Sequence, residues 1–425
     1  MTRVHRLHLT PADQAAQRYL PVPFEVPAGA DSLEVRLAYD TSAGVVDLGC
    51  EGADGWRGWS GGARARFAIT PDAATPGYVP GRPEAGEWAV VLGLHKIPAD
   101  GLDVVVEIDV PASGPVEETV LAPVADTPRG SSRGLPAPAG LTWFAGDFHA
   151  HTLHSDGSES IDQLAARGVA SGLDFLAVTD HNTVSHHAHL PGVGARHGIS
   201  LVPGQEVTTA RGHANAFGDI GWIDFRRPGQ DWVDDVAARG GVLSINHPVD
   251  GDCAWLHPLE RLPVALELWH ISWYRDLAAS FPWAFWARWG ELAGQGVTPI
   301  GGSDFHSPGA WTVGIPTTWV LAEDASPEAI LAGVANGRTA IGVGARVTEA
   351  GPVVDPLRTP LLLRPDGSRG ADGELLALGA DGAALVDVDG RRTILHGDAV
   401  SVPASWGRGP FHLADADRRI LALSP

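Results

Sequence analysis

Residues 143–157 read Trp-Phe-Ala-Gly-Asp-Phe-His-Ala-His-Thr-Leu-His-Ser-Asp-Gly. The run from Trp143 to His149 has the length and apolar content of a buried strand, and it ends in a burst of metal-ligating side chains. His149 and His151 are two apart, so the period-two alternation of a strand sends both rings to one side, as a chelating pair requires. The same spacing recurs at Asp304 and His306, after the apolar stretch Thr298 to Gly302.

Working outward, further short apolar strands are predicted at Phe175 to Thr179, Leu201 to Val207, Val242 to Asn246, Ala265 to Trp269 and Thr317 to Leu321. They alternate with helical segments, the pattern of a parallel α/β architecture, and seven such strands suit a barrel. One helix is predicted in detail. Ser160 with Gln163 forms a capping box, Ile161, Leu164 and Ala165 mark its apolar face, and Gly172 suits its stop.

Chemistry collects where the strands end. Asp156 follows the first strand, His181 the second and His247 the fourth; Glu206 closes the third, and His213 lies in the segment after it. In βα barrels this is the face that carries function. Of the 18 histidines, 13 fall between His149 and His306. Any one of these residues alone would read as a satisfied structural histidine or a cap carboxylate. Together, in register with strand ends, they read as a multinuclear metal site. Imidazoles with carboxylates and no thiolate suit Zn, Fe or Mn and argue against Mg or Ca alone.

The flanks are different. Leu33, Val35, Leu37 and Tyr39, then Trp88, Val90, Leu92 and Leu94, then Leu102, Val104, Val106, Ile108 and Val110 alternate with mostly polar neighbours, which predicts half-buried antiparallel strands and a β-sandwich-like domain over residues 1–112. Residues 113–140 are rich in Pro, Gly and Ala and read as a linker. The α/β domain is placed at 141–347. Residues 348–425, with turn signals at Asp366-Gly367, Asp372-Gly373, Asp381-Gly382 and Asp389-Gly390, read as a small β-rich appendage.

The 425 residues are 44% hydrophobic, enough to fill more than one core. A net charge of -21 repels phosphate backbones, so no nucleic acid polymer is expected as a partner. A small phosphorylated substrate remains compatible, because bound divalent cations invert the local potential. Cys50 and Cys253 are too few for a disulfide framework and lack zinc or redox spacing. The opening residues lack the apolar core of a secretory signal, and no run reaches the length of a membrane span. A cytoplasmic protein with no membrane partner is expected.

The order G-D-F-H-A-H-T-x-H-S-D-G, T-D-H-N-T, G-Q-E-V-T-T, G-H-A-N, N-H-P and G-S-D-x-H resembles the PHP (polymerase and histidinol phosphatase) family, a distorted (β/α)7 barrel with a trinuclear metal centre. The wording T-D-H-N-T-V-S-H-H and G-H-A-N-A-F-G further resembles its CehA/McbA-type branch, which includes a carbamate hydrolase. The resemblance covers about half the chain, Trp143 to Val347. It implies one metal held by His149, His151, Glu206 and Asp304, a second by Glu206, His213 and His247 with Glu206 bridging, and a third by Asp156, His181 and His306. Two to three divalent ions (Mn, Zn or Fe) are therefore expected as cofactors.

Around this set, Arg211 stands between Glu206 and His213, where a guanidinium could grip a phosphate or carboxylate; a solvated loop arginine is the competing reading. Arg338 is a weaker candidate for that task. His154 is a candidate to contact substrate or protonate a leaving group, against a purely supporting role. Asp180 suits a carboxylate that orients a ligand ring. His186, His187 and His189 read as surface histidines or a pocket rim. The aromatic run Trp269, Trp273, Tyr274, Phe281, Trp283, Phe285, Trp286 and Trp289 reads as core, as a homodimer surface, or as an apolar wall for a leaving group. His270 beside it could face the pocket, although its position alone says little.

The expected function is hydrolysis of a small phosphate ester, mono- or diester, by a metal-bridging hydroxide. A carbamate or carboxylic ester hydrolase is the alternative, and a non-catalytic, metal-stabilised binding module is the lesser one.

Overall fold

The computed structural model describes residues 1–116, 120–270, 291–292, 294–309, 312–348, 351–368 and 373–424. Of the aromatic run, only Trp269 lies within them. The chain divides into two compact units. The first comprises Met1–Leu121 with His151–Ser160 and Asp180–Ala188; the second comprises Ala122–Ala150, Ile161–Thr179 and His189–Pro425.

The first unit is built on two four-stranded antiparallel sheets. One has the order β1 (Thr2–Leu9), β8 (Leu102–Asp109), β3 (Leu33–Ala38), β6 (Arg66–Ile69); the other has β2 (Tyr19–Val26), β7 (Gly86–Lys96), β4 (Val45–Gly52), β5 (Gly55–Gly61). Leu33, Val35, Leu37, Val90, Leu92, Val104, Val106 and Ile108 share one buried core, which is the consequence of their period-two spacing. Glu34, on the face the alternation assigns to solvent, is only 2% exposed. It is buried because Arg36 and Arg66 both pair with it and the Ser113 N–H donates to it at 2.9 Å.

The segments His151–Ser160 and Asp180–Ala188 of this unit are fastened to its strands and loops by hydrogen bonds. Trp56 Nε1 donates to the Asn182 carbonyl at 3.2 Å, Arg64 Nη1 to the Ser155 carbonyl at 3.1 Å, and Thr183 Oγ1 to the Gly77 carbonyl at 2.7 Å.

The second unit is a mixed α/β fold around one large sheet. Among its strands are β9 (Thr142–Asp147), β10 (Phe175–Val178), β11 (Ser200–Thr209), β12 (Gly212–Phe217), β13 (Val242–Ile245), β14 (Ala265–His270), β15 (Thr298–Gly302), β16 (Thr317–Ala322) and β17 (Thr339–Gly342). They lie in the order β15-β14-β13-β12-β11-β10-β9-β16-β17. β10, β13 and β15 are buried along their whole length, as strands covered on both faces must be. Just past β9 and β15, Ala150 and Phe305 form a parallel bridge. Helices run over Ile161–Ala170, Leu190–His197, Gly229–Ala238 and Pro327–Ala335. No helix among the described residues is long and apolar enough to cross a membrane.

The sheet departs from the all-parallel expectation in two places. β12 runs antiparallel to both β11 and β13, and β16 runs antiparallel to β9. The β11–β12 connection at Ala210 and Arg211 is too short for a crossover, so the chain can only return as a hairpin. His213, in the segment after Glu206, consequently sits on a strand, paired with Thr208.

The division also differs from the expected four parts. Residues 151–160 and 180–188 group with the N-terminal strands. The region after 348 shares a unit with the large sheet, because Leu423 and Ala422 pair with Ile341 and Gly342 of β17.

Candidate metal centre

In the second unit the donors converge from five strands of the large sheet. His149 follows β9, Glu206 lies within β11, His213 on β12, His247 after β13, and Asp304 after β15. His149 and Glu206 are fully buried and His247 is 3% exposed. Gly302 makes this convergence possible, since a Cβ there would lie 2.3 Å from the His149 Cβ and 2.4 Å from Glu267 Oε1.

Glu206 Oε1 is the focus. His149 Nε2 and His247 Nε2 each lie 3.3 Å from it, His213 Nδ1 3.1 Å, and the Asn246 amide donates to it at 2.9 Å. His149 Nε2 is also 3.2 Å from Asp304 Oδ1. Charge-assisted hydrogen bonds of this kind are shorter, about 2.7–2.9 Å. Two ligands of one ion bonded at about 2.1 Å lie about 3.0 Å apart in an octahedral shell and about 3.4 Å apart in a tetrahedral one, so the spacing matches shared coordination. His149, Glu206 and His247 offer ligand atoms within 4.8 Å of one another, as do His247, His270 and Asp304.

The electrostatics ask for a cation. Burial pushes the His149 imidazolium down, yet Asp304, Glu206 and Glu267 together raise its pKa well above the ordinary value. His247 is likewise pushed down by burial and raised overall by Glu206, Glu267 and Asp304. An enclosed carboxylate group of this kind holds positive charge, and the imidazole and carboxylate donors fit a divalent metal. His247 and Asp304 moreover adopt left-handed backbone, φ 25° and 50°, a strain that concentrates at functional sites.

The supporting shell is the part that sequence reasoning missed. Glu267, 1% exposed, lies 3.0 Å from His149 Nδ1 and accepts the His247 N–H at 2.8 Å. A carboxylate there keeps the proton on Nδ1 and leaves the Nε2 lone pair for a metal. Asp147, fully buried, accepts the N–H groups of His149, Ser303 and Gly314 at 3.0, 3.0 and 2.7 Å, tying the two strand ends together. The one available signal was a lone carboxylate inside each apolar strand. His306 Nδ1 is 2.8 Å from the Asp304 carbonyl, which only accepts, so Nε2 of His306 carries the lone pair.

In the first unit His151, Asp156 and His181 offer ligand atoms within 4.8 Å of one another. The His151 and His181 rings stack at 4.4 Å, and His181 Nε2 is 3.6 Å from Asp156 Oδ1. Asp180, fully buried, accepts from the Thr152 N–H and hydroxyl at 2.8 and 2.7 Å and from Ser155 Oγ at 2.7 Å, so it fixes the turn that presents His151 and Asp156. Asn182, next to His181, is left-handed at φ 54°. His154 is half-buried, its Nδ1 2.7 Å from Ser185 Oγ. His186 is fully buried, 3.4 Å from Asp180, and is not a surface residue.

Arg211 is not brought together with these donors. It is exposed at the tip of the β11–β12 hairpin, with Nη2 donating to the Leu256 carbonyl at 2.9 Å.

No family model matches the chain. Over 62 residues it is 34% identical to the phosphoribosyl 1,2-cyclic phosphate 1,2-diphosphodiesterase of Eggerthella lenta, covering 15% of this chain and 24% of that protein, so the match spans only about a quarter of the relative's length. Among solved structures, a two-domain protein from Bacteroides vulgatus containing a predicted PHP-like metal-dependent phosphoesterase is similar over 73% of this chain and 91% of that one, at 17% identity and TM-score 0.38. An amidohydrolase from Chromobacterium violaceum, with bound sulfate and no metal, is similar over 39% of this chain and 89% of its own, at 18% identity and TM-score 0.28.

Proposed function

We propose that the chain is a metal-dependent hydrolase of the PHP type acting on a small phosphate ester, mono- or diester. The observation that carries the reading is the single buried oxygen of Glu206 facing the imidazole nitrogens of His149, His213 and His247 at 3.1–3.3 Å. When bound, divalent cations supply a nucleophilic hydroxide at neutral pH and polarise the substrate oxygen.

The chain's own residues do the rest. Glu267 holds the proton on His149 Nδ1 and fixes the ring. Asp180 holds the turn that carries His151 and Asp156. His154, whose Nδ1 accepts a backbone N–H, presents a neutral Nε2–H donor suited to a leaving-group oxygen. No side-chain nucleophile is required.

With His151, Asp156 and His181 as a further donor group, two to three ions (Mn, Zn or Fe) are proposed. The run β15 to β9, bridged at Ala150 and Phe305, supports reading the sheet as a distorted (β/α)7 barrel. Membership of the CehA/McbA-type branch, a cytoplasmic location and a small-molecule substrate belong to the same proposal and rest on the sequence. The carbamate or carboxylic ester alternative drew on the Trp-rich run, most of which lies outside the described residues.

The test is hydrolysis of p-nitrophenyl phosphate, a bis(p-nitrophenyl) phosphate diester, p-nitrophenyl acetate and a p-nitrophenyl N-methylcarbamate by Mn- or Zn-loaded protein, with Glu206→Ala as the blank. Metal-dependent release from a phosphate ester, absent in the blank, is the expected result. Release confined to the acetate or carbamate would sink the phosphoesterase reading, and no release with metal bound would favour the binding module.

A further inference from the structure

We infer that His270 is itself a metal ligand, a donor outside the set the family resemblance implies. The inference rests on the metal-centre reading above.

The first observation is a change of parity in β14. Glu267 and His270 are three apart, so a regular strand would send them to opposite faces. Against β15 the register runs Ala265 to Thr298, Leu266 to Pro299 and Glu267 to Ile300, then resumes at Trp269 with Gly301 and His270 with Gly302. Leu268 has no counterpart, so it is a bulge. Bulges of this kind re-aim side chains next to functional sites. The inserted residue makes Glu267 and His270 equivalent to two-apart positions on their partner, and both fall on the face of the metal donors.

The second observation is what His270 meets there. It is 2% exposed, its Nε2 lies 3.0 Å from Asp304 Oδ2, and its ring is 4.9 Å from that of His247 and 6.3 Å from that of His149. Cis ligands on a six-coordinate ion are spaced at about 3.0 Å. His247, His270 and Asp304 thus form a second donor group that shares His247 with the His149, Glu206 and His247 group. The two residues it shares a group with, His247 and Asp304, are both held in left-handed backbone. With His270 added, the buried site is richer in imidazole, which favours Zn or Fe over Mg.

A structural role is the competing explanation: His270 could only hold Asp304 by a hydrogen bond. Glutamine separates the two, because its amide can donate to Asp304 but is a poor ligand for a transition metal. The experiment is zinc affinity of the full-length protein by chelator competition, for wild type, His270→Gln, His270→Ala and Glu206→Ala. The expected result is a loss of about tenfold or more for one ion in both His270 variants. Wild-type affinity in His270→Gln overturns the inference. If His270→Gln does not fold, cobalt-loaded His270→Cys decides: a thiolate-to-cobalt charge-transfer band absent from cobalt-loaded wild type supports ligation, and its absence overturns it. Zinc bound by wild type and lost in Glu206→Ala keeps the metal centre standing whichever way His270 falls, whereas no zinc on wild type brings down the proposed function itself.

Discussion

The backbone N–H of Gly77 donates to Nδ1 of His154 at 3.3 Å. A backbone amide can only donate, so Nδ1 holds a lone pair and the ring of His154 is the Nε2–H tautomer. A residue of the N-terminal unit's own β-rich segment thereby decides what a histidine beside the candidate ligands His151 and Asp156 can offer.

Gly77→Ala should destabilise the protein. Its φ is +102°, and a Cβ would lie 2.7 Å from the Trp59 carbonyl oxygen and 2.8 Å from that of His154, both backbone atoms with little freedom to yield. A cost of about 1–3 kcal/mol is expected, read as a lowered denaturation midpoint. An unchanged midpoint would show that the loop does not hold this contact.

His154→Ala should keep the metal content and lower kcat by about 10²-fold or more, whereas His154→Gln, which can place an N–H near the position of Nε2, should retain more of the rate. Metal analysis with kcat and KM for both variants checks this. Equal losses in the two would remove the donor role.

Glu206→Ala should be the most damaging single change at the site. It removes the oxygen that faces His149, His213 and His247 and leaves the Asn246 amide without that acceptor. Elemental analysis should find the bound metal depleted; full wild-type metal content and rate would refute the assignment.

Glu267→Gln keeps the shape of the residue but removes the charge that holds the proton on His149 Nδ1. Metal affinity should fall about 10- to 100-fold with the fold intact. Chelator competition with circular dichroism as the folding control would expose an affinity that does not move.

Acid stability should depend on Glu34. The hydrogen bond from Arg66, opposed by burial and aided by Ser113, lowers its pKa from 4.5 to about 2. A carboxylate depressed on folding stabilises above its unfolded pKa, and that contribution is lost as pH falls from about 4.5 toward 2. Glu34→Gln should therefore lower stability at neutral pH and flatten the loss between those values. Parallel pH profiles for wild type and variant would count against the clamp.

Local pattern made much of this molecule legible. The predicted strand from Trp143 is β9, and those from Phe175, Leu201, Val242, Ala265, Thr298 and Thr317 are all present, because short apolar runs bounded by polar residues carry a strong local signal. The helix predicted after Ser160 spans Ile161–Ala170, and Gly172 takes φ +73°. β12 was missed because Gly-His-Ala-Asn-Ala-Phe has little strand character by itself and is held by pairing with β11 and β13. Glu267 was missed because a lone carboxylate in an apolar strand has no meaning until its partners arrive from β9 and the end of β13.

The sequence by itself offered the kind of chemistry: which side chains are candidates to hold a metal, and that His149, His181, His247 and Asp304 follow apolar strands, since side-chain alternation and donor type are local properties. The tertiary structure alone decided that β12 and β16 run antiparallel, that Gly77 sets the tautomer of His154, and that a bulge at Leu268 turns His270 to the side of Glu267. Each of these depends on register between segments distant in sequence, and a one-residue shift in register reverses the face on which every later side chain falls.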